Sequence, residues 1–175
     1  MEFRKSLSNL LDSLKNDKEY SEQIVHWHTI PPKEADLVKL PSELDNRLKT
    51  TLQSRGITAL YTHQDEAFQL AKNGSHFVAV TPTASGKTLC YNLPVLQQIL
   101  NNENSRALYL FPTKALAQDQ KSELNEIISE MGVQLNSYTY DGDTSPAIRQ
   151  KVRKAGHIVI TNPDMLHSAI LPHHT

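Results

Sequence analysis

The stretch Thr81 to Thr88, reading TPTASGKT, sets the strongest constraint on how this chain can fold. A short apolar run, Phe77, Val78, Ala79 and Val80, precedes it, and apolar residues recur at helical spacing from Leu89 to Leu100 behind it. That order predicts a buried strand, a tight loop and a helix. In a loop of this build successive backbone N–H groups converge on an anion, the helix N-terminus adds partial positive charge, and Lys87 adds a full one. The Thr88 hydroxyl would hold a magnesium ion (Mg2+). The phosphate-loop pattern asks for glycine where this chain has Thr81, whereas Gly86, Lys87 and Thr88 are all in place.

Downstream the pattern alternates. Ala107 to Phe111 reads as a strand, and Leu116, Leu124, Ile127, Ile128 and Met131 mark a helix. Val133 to Tyr140 is a second apolar run, a basic helix starts at Ser145, and His157 to Thr161 closes the series. Such alternation predicts an α/β fold with a parallel sheet and crossover helices. Pro94 falls inside the helix after the loop, where it removes one backbone bond and is expected to bend it. Upstream, Ser42 with Asp45 suggests a helix start, Leu44, Leu48 and Leu52 form a stripe, and Gly56 closes the helix. A second helix is expected from Thr62, ending at Asn73 and Gly74.

Phe3, Leu7, Leu10, Leu11 and Leu14 share one face of an amphipathic N-terminal helix, expected to dock on the domain or on a partner surface. Ile24 to Ile30 is expected to be extended and partly buried before Pro31 and Pro32 stop any regular element. His26 and His28 flank Trp27, yet no cysteine or carboxylate lies at ligand spacing, so a metal role is not favoured.

Composition narrows the classes further. With 175 residues, 38% of them hydrophobic and 21% charged, the chain suits one ordinary domain with a real core. A formal net charge of -1 excludes whole-chain polycation binding, so any nucleic-acid contact must come from a local patch. The single cysteine, Cys90, sits among apolar residues and reads as a buried thiol. The N-terminus has no secretory character and no apolar run reaches the ~20 residues of a membrane span. A cytoplasmic setting is the expectation.

In open parallel sheets ligands gather beyond the carboxyl ends of the strands. There Phe111 is followed by Pro112, Thr113 and Lys114, Tyr140 by Asp141, Gly142, Asp143 and Thr144, and Ile160 by Thr161, Asn162 and Pro163. Hydroxyls, helix-start amides and a lysine suit the phosphate oxygens of a nucleic-acid backbone. Any one of these segments reads as easily as a helix cap. Three on one sheet edge favour a polyanion track.

Taken in order and spacing, GITALYTHQ, TPTASGKTLCYNLP, LFPTKALAQDQ, YDGDT and ITNPDMLH resemble the first RecA-like domain of the superfamily 2 DEAD/DEAH-box helicases. The similarity is closest to the bacterial DNA-repair subgroup whose full-length members carry a C-terminal cysteine-rich domain. The resemblance implies an incomplete RecA-like phosphate-loop NTPase domain over residues 56–175, with residues 1–55 as an N-terminal extension of helix, Pro-containing segment and helix. It implies ATP and Mg2+ as cofactors. Gln64 would read the adenine edge with Tyr61 beside it. Thr83, Ala84, Ser85, Gly86, Lys87 and Thr88 would hold the triphosphate, Lys87 and Thr88 being the catalytic pair. Pro112, Thr113, Lys114, Thr161, Asn162 and Pro163 would contact one strand of DNA.

Two departures follow. The upstream aromatic that stacks on adenine in relatives has no counterpart between Pro31 and Leu60. The acidic DExD/DExH motif is absent from these residues too, since the Asp65–Glu66 pair lies inside a predicted helix, and the second RecA-like domain is expected to be missing as well. The expectation is a truncated helicase, His173 and His174 lying in an interrupted loop, with the remainder of a full-length protein as partner. Such a piece would bind ATP and single-stranded DNA without meaningful hydrolysis and would be marginally stable. The competing readings are a non-catalytic nucleotide, nucleic-acid or partner-binding module, and a small-molecule kinase, for which the basic residues Arg149, Lys151, Arg153 and Lys154 would have to serve as a lid.

Overall fold

Asp45, Thr113, Ser145 and Asn162 each start a helix by turning a side-chain oxygen onto a backbone N–H of its first turn. The structure is a computed structural model that describes residues 2–31 and 34–173. The side chain of Phe3, Pro32, the side chain of His173 and all of His174, which entered the sequence reading, lie outside the described residues. The chain divides into two compact units, Met1–Ala35 and Asp36–Thr175.

The first unit holds helices α1 (Glu2–Asn16) and α2 (Lys18–Ser21), the second capped by Asp17. Leu7 and Leu10 on α1 are more than half exposed. The stretch Ile24 to Ile30 forms no regular element, and it is not partly buried as expected: Val25 is 98% and Ile30 82% exposed. Its bulky residues find little cover within their own unit. Trp27 has the Lys15 ammonium 4.5 Å above its ring, and His26 and His28 stack on each other.

The second unit begins with a feature too short to read from sequence. Strand β1 (Leu37–Lys39) pairs antiparallel with β2 (Ala59–Tyr61), with Val38 opposite Leu60. Helix α3 (Asn46–Ser54) joins them. Its cap is Asp45, not Ser42, because the Asp45 carboxylate accepts from the Arg47 amide at 2.8 Å and is also gripped by the Arg47 guanidinium. Helix α4 (Thr62–Lys72) starts at Thr62 as expected, with Tyr61 at its cap position and the Gln64 side-chain oxygen accepting from the Tyr61 amide.

Helix α5 (Lys87–Asn101) then continues without a break through Pro94. Strand β3 (Ala107–Leu110), helix α6 (Lys114–Glu130), β4 (Ser137–Thr139), helix α7 (Pro146–Ala155), β5 (Ile158–Thr161) and helix α8 (Pro163–Met165) follow. The three later strands form a parallel sheet in the order β3-β5-β4, with Leu110 opposite Thr161 and Thr139 opposite Ile160. The expected α/β alternation is thus present. Leu48 and Leu52 of α3, Phe68 of α4, Leu93 and Leu96 of α5 and Leu124 and Ile127 of α6 pack with Tyr109, Ile158 and Ile160 of the sheet in one core. The other pleat face of β3 leaves Leu108 and Leu110 over two-fifths exposed.

The run Phe77 to Val80 is a correction. It is not a buried strand: it pairs with no other segment among the described residues, and Val78 and Val80 are 87% and 88% exposed. Apolar, β-branched composition favours a strand only where a ladder partner and a packing face exist, and neither is provided here.

Two polar ties hold the elements in register. Tyr109 Oη donates to Asn92 Oδ1 at 2.9 Å in the core, joining β3 to α5. Arg55, just past α3, grips the Glu130 carboxylate of α6 with two nitrogens at 2.7 and 2.8 Å. Tyr109→Phe would leave the Asn92 amide buried without its partner. Chemical denaturation is expected to show a loss of about 1–3 kcal/mol, most of it recovered when Asn92→Leu is added. The Arg55 guanidinium holds the Glu130 carboxyl below its usual value of 4.5. A carboxyl depressed on folding stabilises above its unfolded pKa, and that contribution is lost as pH falls through the lower folded value. The melting temperature is therefore expected to fall more steeply below pH 4.5 in the parent chain than in Glu130→Gln.

Candidate nucleotide and nucleic-acid sites

The phosphate loop closes on itself. Ala84 and Gly86 both adopt left-handed backbone, at φ 59° and 75°, and Gly86 is the cap position of α5. No side chain caps this 15-residue helix, so the N–H groups of its first turn face the loop without a side-chain acceptor. Lys87 folds back, its Nζ donating to the carbonyl oxygens of Thr81 at 2.6 Å and Pro82 at 2.7 Å and reaching Thr81 Oγ1 at 3.1 Å. The hydroxyls of Thr81 and Ser85 meet at 2.5 Å. The loop thus surrounds its own ammonium with neutral oxygens, which the charged oxygens of a phosphate can replace as stronger acceptors. Thr83 and Ala84 are exposed, and Thr88 is half-buried one turn before Tyr91. Burial pushes the Tyr91 phenol up, and its contact with the Thr88 hydroxyl opposes that shift. Cys90 is buried at 2% exposure and burial raises its thiol pKa, in line with a packing role.

Gln64 joins this loop to the preceding helix. It is 3% exposed, and both ends of its amide are engaged: Oε1 accepts from the Tyr61 N–H and Nε2 donates to the Gly86 carbonyl, each at 2.9 Å. His63, which the sequence reading passed over, also reaches the loop, with Nε2 3.0 Å from the Ser85 carbonyl oxygen. Its signal in the sequence was only its place beside Gln64.

A second constellation lies at the carboxyl ends of β3, β4 and β5. Thr113, Lys114, Thr139, Asp141, Thr161 and Asn162 line one narrow cleft. Thr113 and Asn162 cap α6 and α8 through Leu116 N and Met165 N, while Pro112 and Pro163 flank them as exposed residues. Lys114 Nζ donates to Asp143 Oδ2 at 2.6 Å, which raises the Lys114 pKa and lowers that of Asp143. Thr161 departs from its expected place at the edge: it is 2% exposed and its hydroxyl donates to the Tyr140 carbonyl at 2.5 Å, bracing β5 against the end of β4. The Thr139 hydroxyl is buried in the same cleft with no hydrogen-bond partner. Arg149 bonds the Thr144 and Asp141 carbonyls and lies over the Tyr140 ring, so it shapes the Asp141–Thr144 loop and is not a free cation of a lid.

The family model described as DEAD/DEAH box helicase matches residues 61–175. The chain belongs to the DEAD/DEAH box helicase family. It is 67% identical over 98% of its length to the ATP-dependent helicase YprA of Bacillus subtilis, and 41% identical over 95% of its length to the ATP-dependent helicase hrq1 of Schizosaccharomyces pombe. It spans 22% of the first relative and 16% of the second. A crystal structure of the DUF1998 helicase MrfA bound to DNA and AMPPNP matches 95% of this chain and 23% of its own at 66% identity, with a TM-score of 0.84. The parallel sheet and its crossover helices are accordingly those of a RecA-like helicase domain.

At Gly86 the close approach of Gln64 leaves little space for a side chain. A Cβ on Gly86 would stand 2.5 Å from Gln64 Nε2, on top of a left-handed backbone cost of about 1–2 kcal/mol. Gly86→Ala is therefore expected to lower the denaturation midpoint clearly, while Gly142→Ala, whose new methyl meets nothing within 4 Å, leaves it in place.

Proposed function

We propose that this chain is the ATP- and nucleic-acid-holding part of an ATP-dependent DNA helicase. The observation that carries the reading is the uncapped start of α5 beneath a left-handed loop whose lysine is satisfied only by neutral oxygens. The residues present fit a nucleoside triphosphate. Thr83, Ala84, Ser85 and Gly86 offer backbone N–H groups, Lys87 the balancing charge and Thr88 a hydroxyl for Mg2+. Tyr61 and Gln64 stand at the base end of the site. When bound, ATP supplies the phosphoryl bond whose cleavage drives helicase motion.

Pro112, Thr113, Lys114, Asn162 and Pro163 form the track for one DNA strand, with Thr161 supporting it from inside the sheet. DNA is favoured because the MrfA structure, so close in sequence, holds DNA. A single strand suits a row of short polar groups and helix-start amides. DNA repair in the cytoplasm is the corresponding role. The domain proper is placed at residues 56–175, with residues 1–55 as an extension whose helix α3 contributes Leu48 and Leu52 to the shared core.

Residues 1–175 carry no Asp-Glu pair at a strand end, for Asp65 and Glu66 lie in the first turns of α4. Hydrolysis needs such a carboxylate on the metal and an arginine at the transferred phosphate, the latter alone contributing roughly 10³- to 10⁵-fold in turnover. These residues by themselves are therefore read as binding without turning over.

Titration calorimetry with MgATP is expected to show binding that Lys87→Ala abolishes, with negligible phosphate release in the presence of single-stranded DNA. Rapid turnover that Lys87→Ala removes would contradict the binding-only reading. Lys114→Ala is expected to weaken single-stranded DNA binding and to flatten its dependence on log salt by ~0.7, one phosphate contact; an unchanged slope would remove Lys114 from the track.

A further inference from the structure

Tyr91 follows Thr88 by one helical turn on α5, and it meets both ends of the segment that carries Pro112, Thr113 and Lys114. At the near end its ring lies 6.4 Å from that of Phe111, the residue before Pro112, and 5.3 Å from that of Tyr109, edge-on at 85°. Tyr109 and Phe111 meet edge-on in turn at 6.2 Å, so the three rings form one cluster. At the far end the Tyr91 hydroxyl donates to Gln120 Oε1, within the first two turns of α6. One side chain of α5 thus holds the approach to the nucleic-acid track and the helix that leaves it.

The same hydroxyl faces back to the phosphate loop. Residues one turn apart on a helix are neighbours, and the Thr88 hydroxyl contacts the Tyr91 phenol in the sense of a donated hydrogen, favouring the ionised form against the effect of burial. The Tyr91 oxygen therefore accepts from Thr88 and donates to Gln120, and bonds linked in this way polarise one another. A hydroxyl that lends a lone pair to a cation keeps its hydrogen and becomes a stronger donor through it. Nucleotide at the loop would then tighten this chain of bonds and leave its order unchanged. Tyr91 and Gln120 are half-buried and stand behind the loop and the track.

We infer that Tyr91 is a positioning residue that couples the two sites: through its hydroxyl, occupancy of the phosphate loop at Thr88 fixes the segment from Phe111 to Gln120, and with it the track, in its binding arrangement. The inference rests on the reading of Thr81 to Thr88 as the triphosphate site and of Pro112 to Lys114 as part of the track. The coupling is positive, and by linkage each ligand raises the affinity for the other by the same factor.

Fluorescence anisotropy of a labelled single-stranded oligothymidylate, titrated with the 175-residue chain with and without a saturating magnesium complex of a non-hydrolysable ATP analogue, reads this coupling. The parent chain is expected to bind the oligonucleotide about five-fold or more tightly with the analogue present. Tyr91→Phe keeps the ring against Tyr109 and Phe111 and removes only the hydroxyl, while Gln120→Leu removes its acceptor. Each should bring the factor close to one, with the affinities for the oligonucleotide alone and the analogue alone as in the parent, and the double variant should lose no more than either. A factor that survives Tyr91→Phe would overturn the inference. So would a loss of oligonucleotide affinity that is the same with and without the analogue, the mark of a merely structural side chain. A parent chain that binds both ligands without coupling would also overturn it and leave the two site readings intact. One that binds neither would overturn those readings as well.

Discussion

The arrangement of this domain's nucleotide end depends on one buried amide. Gln64 clasps the Tyr61 N–H at the start of α4 with one end and the Gly86 carbonyl at the start of α5 with the other, spanning 22 residues of sequence. Through it the N-termini of two packed helices are held at a fixed separation, and the phosphate loop is hung between them. Phe68 of α4 and Leu93 and Leu96 of α5 fill the space behind the clasp. The close approach explains why position 86 is glycine: the left-handed backbone and the Gln64 nitrogen together leave no room for a side chain.

Electrostatics complete the loop. Lys87 sits in a nest of its own carbonyls, and the uncapped helix start adds to the positive potential there. Oxygen dipoles satisfy the ammonium without neutralising it, so the loop keeps a net attraction for an anion. The second constellation is built differently. Thr113 and Asn162 are engaged as helix caps, Thr161 is turned inward, and Lys114 is paired with Asp143 on the surface. An exposed ion pair of that kind contributes little to stability and is readily exchanged for a phosphate. Tyr91 stands between the two sites, touching Thr88 on one side and the Phe111 ring, next to Pro112, on the other.

Much of this was legible in the sequence, for reasons that differ by element. β3 and β5 carry their buried residues in short, unbroken apolar runs, and α6 shows its stripe through Leu124, Ile127 and Ile128, so local pattern sufficed. Phe77 to Val80 carried the same signal and misled, because a strand exists only through its partners and sequence pattern does not reveal whether a ladder is made. β1 and β2 are too short for periodicity. The choice of Asp45 over Ser42 as cap turned on the Arg47 guanidinium, which a capping pattern does not weigh. At the site, Gly86, Lys87 and Thr88 were found because the loop's chemistry is contiguous in the chain. The clasp role of Gln64, the bond from His63 to Ser85 and the inward turn of Thr161 arise from contacts between segments 21 or 22 residues apart, and only the fold brings them together.

The central claim, that phosphates are held at Thr83 to Thr88, is tested most directly by backbone amide chemical shifts recorded while MgATP is added. The account predicts that the largest shifts fall on the amides of Thr83 to Thr88, where N–H groups exchange their surroundings for phosphate oxygens. Shifts that leave these residues unmoved and concentrate elsewhere, as in the 440 Å³ groove between Phe77 and Ala107, would contradict it.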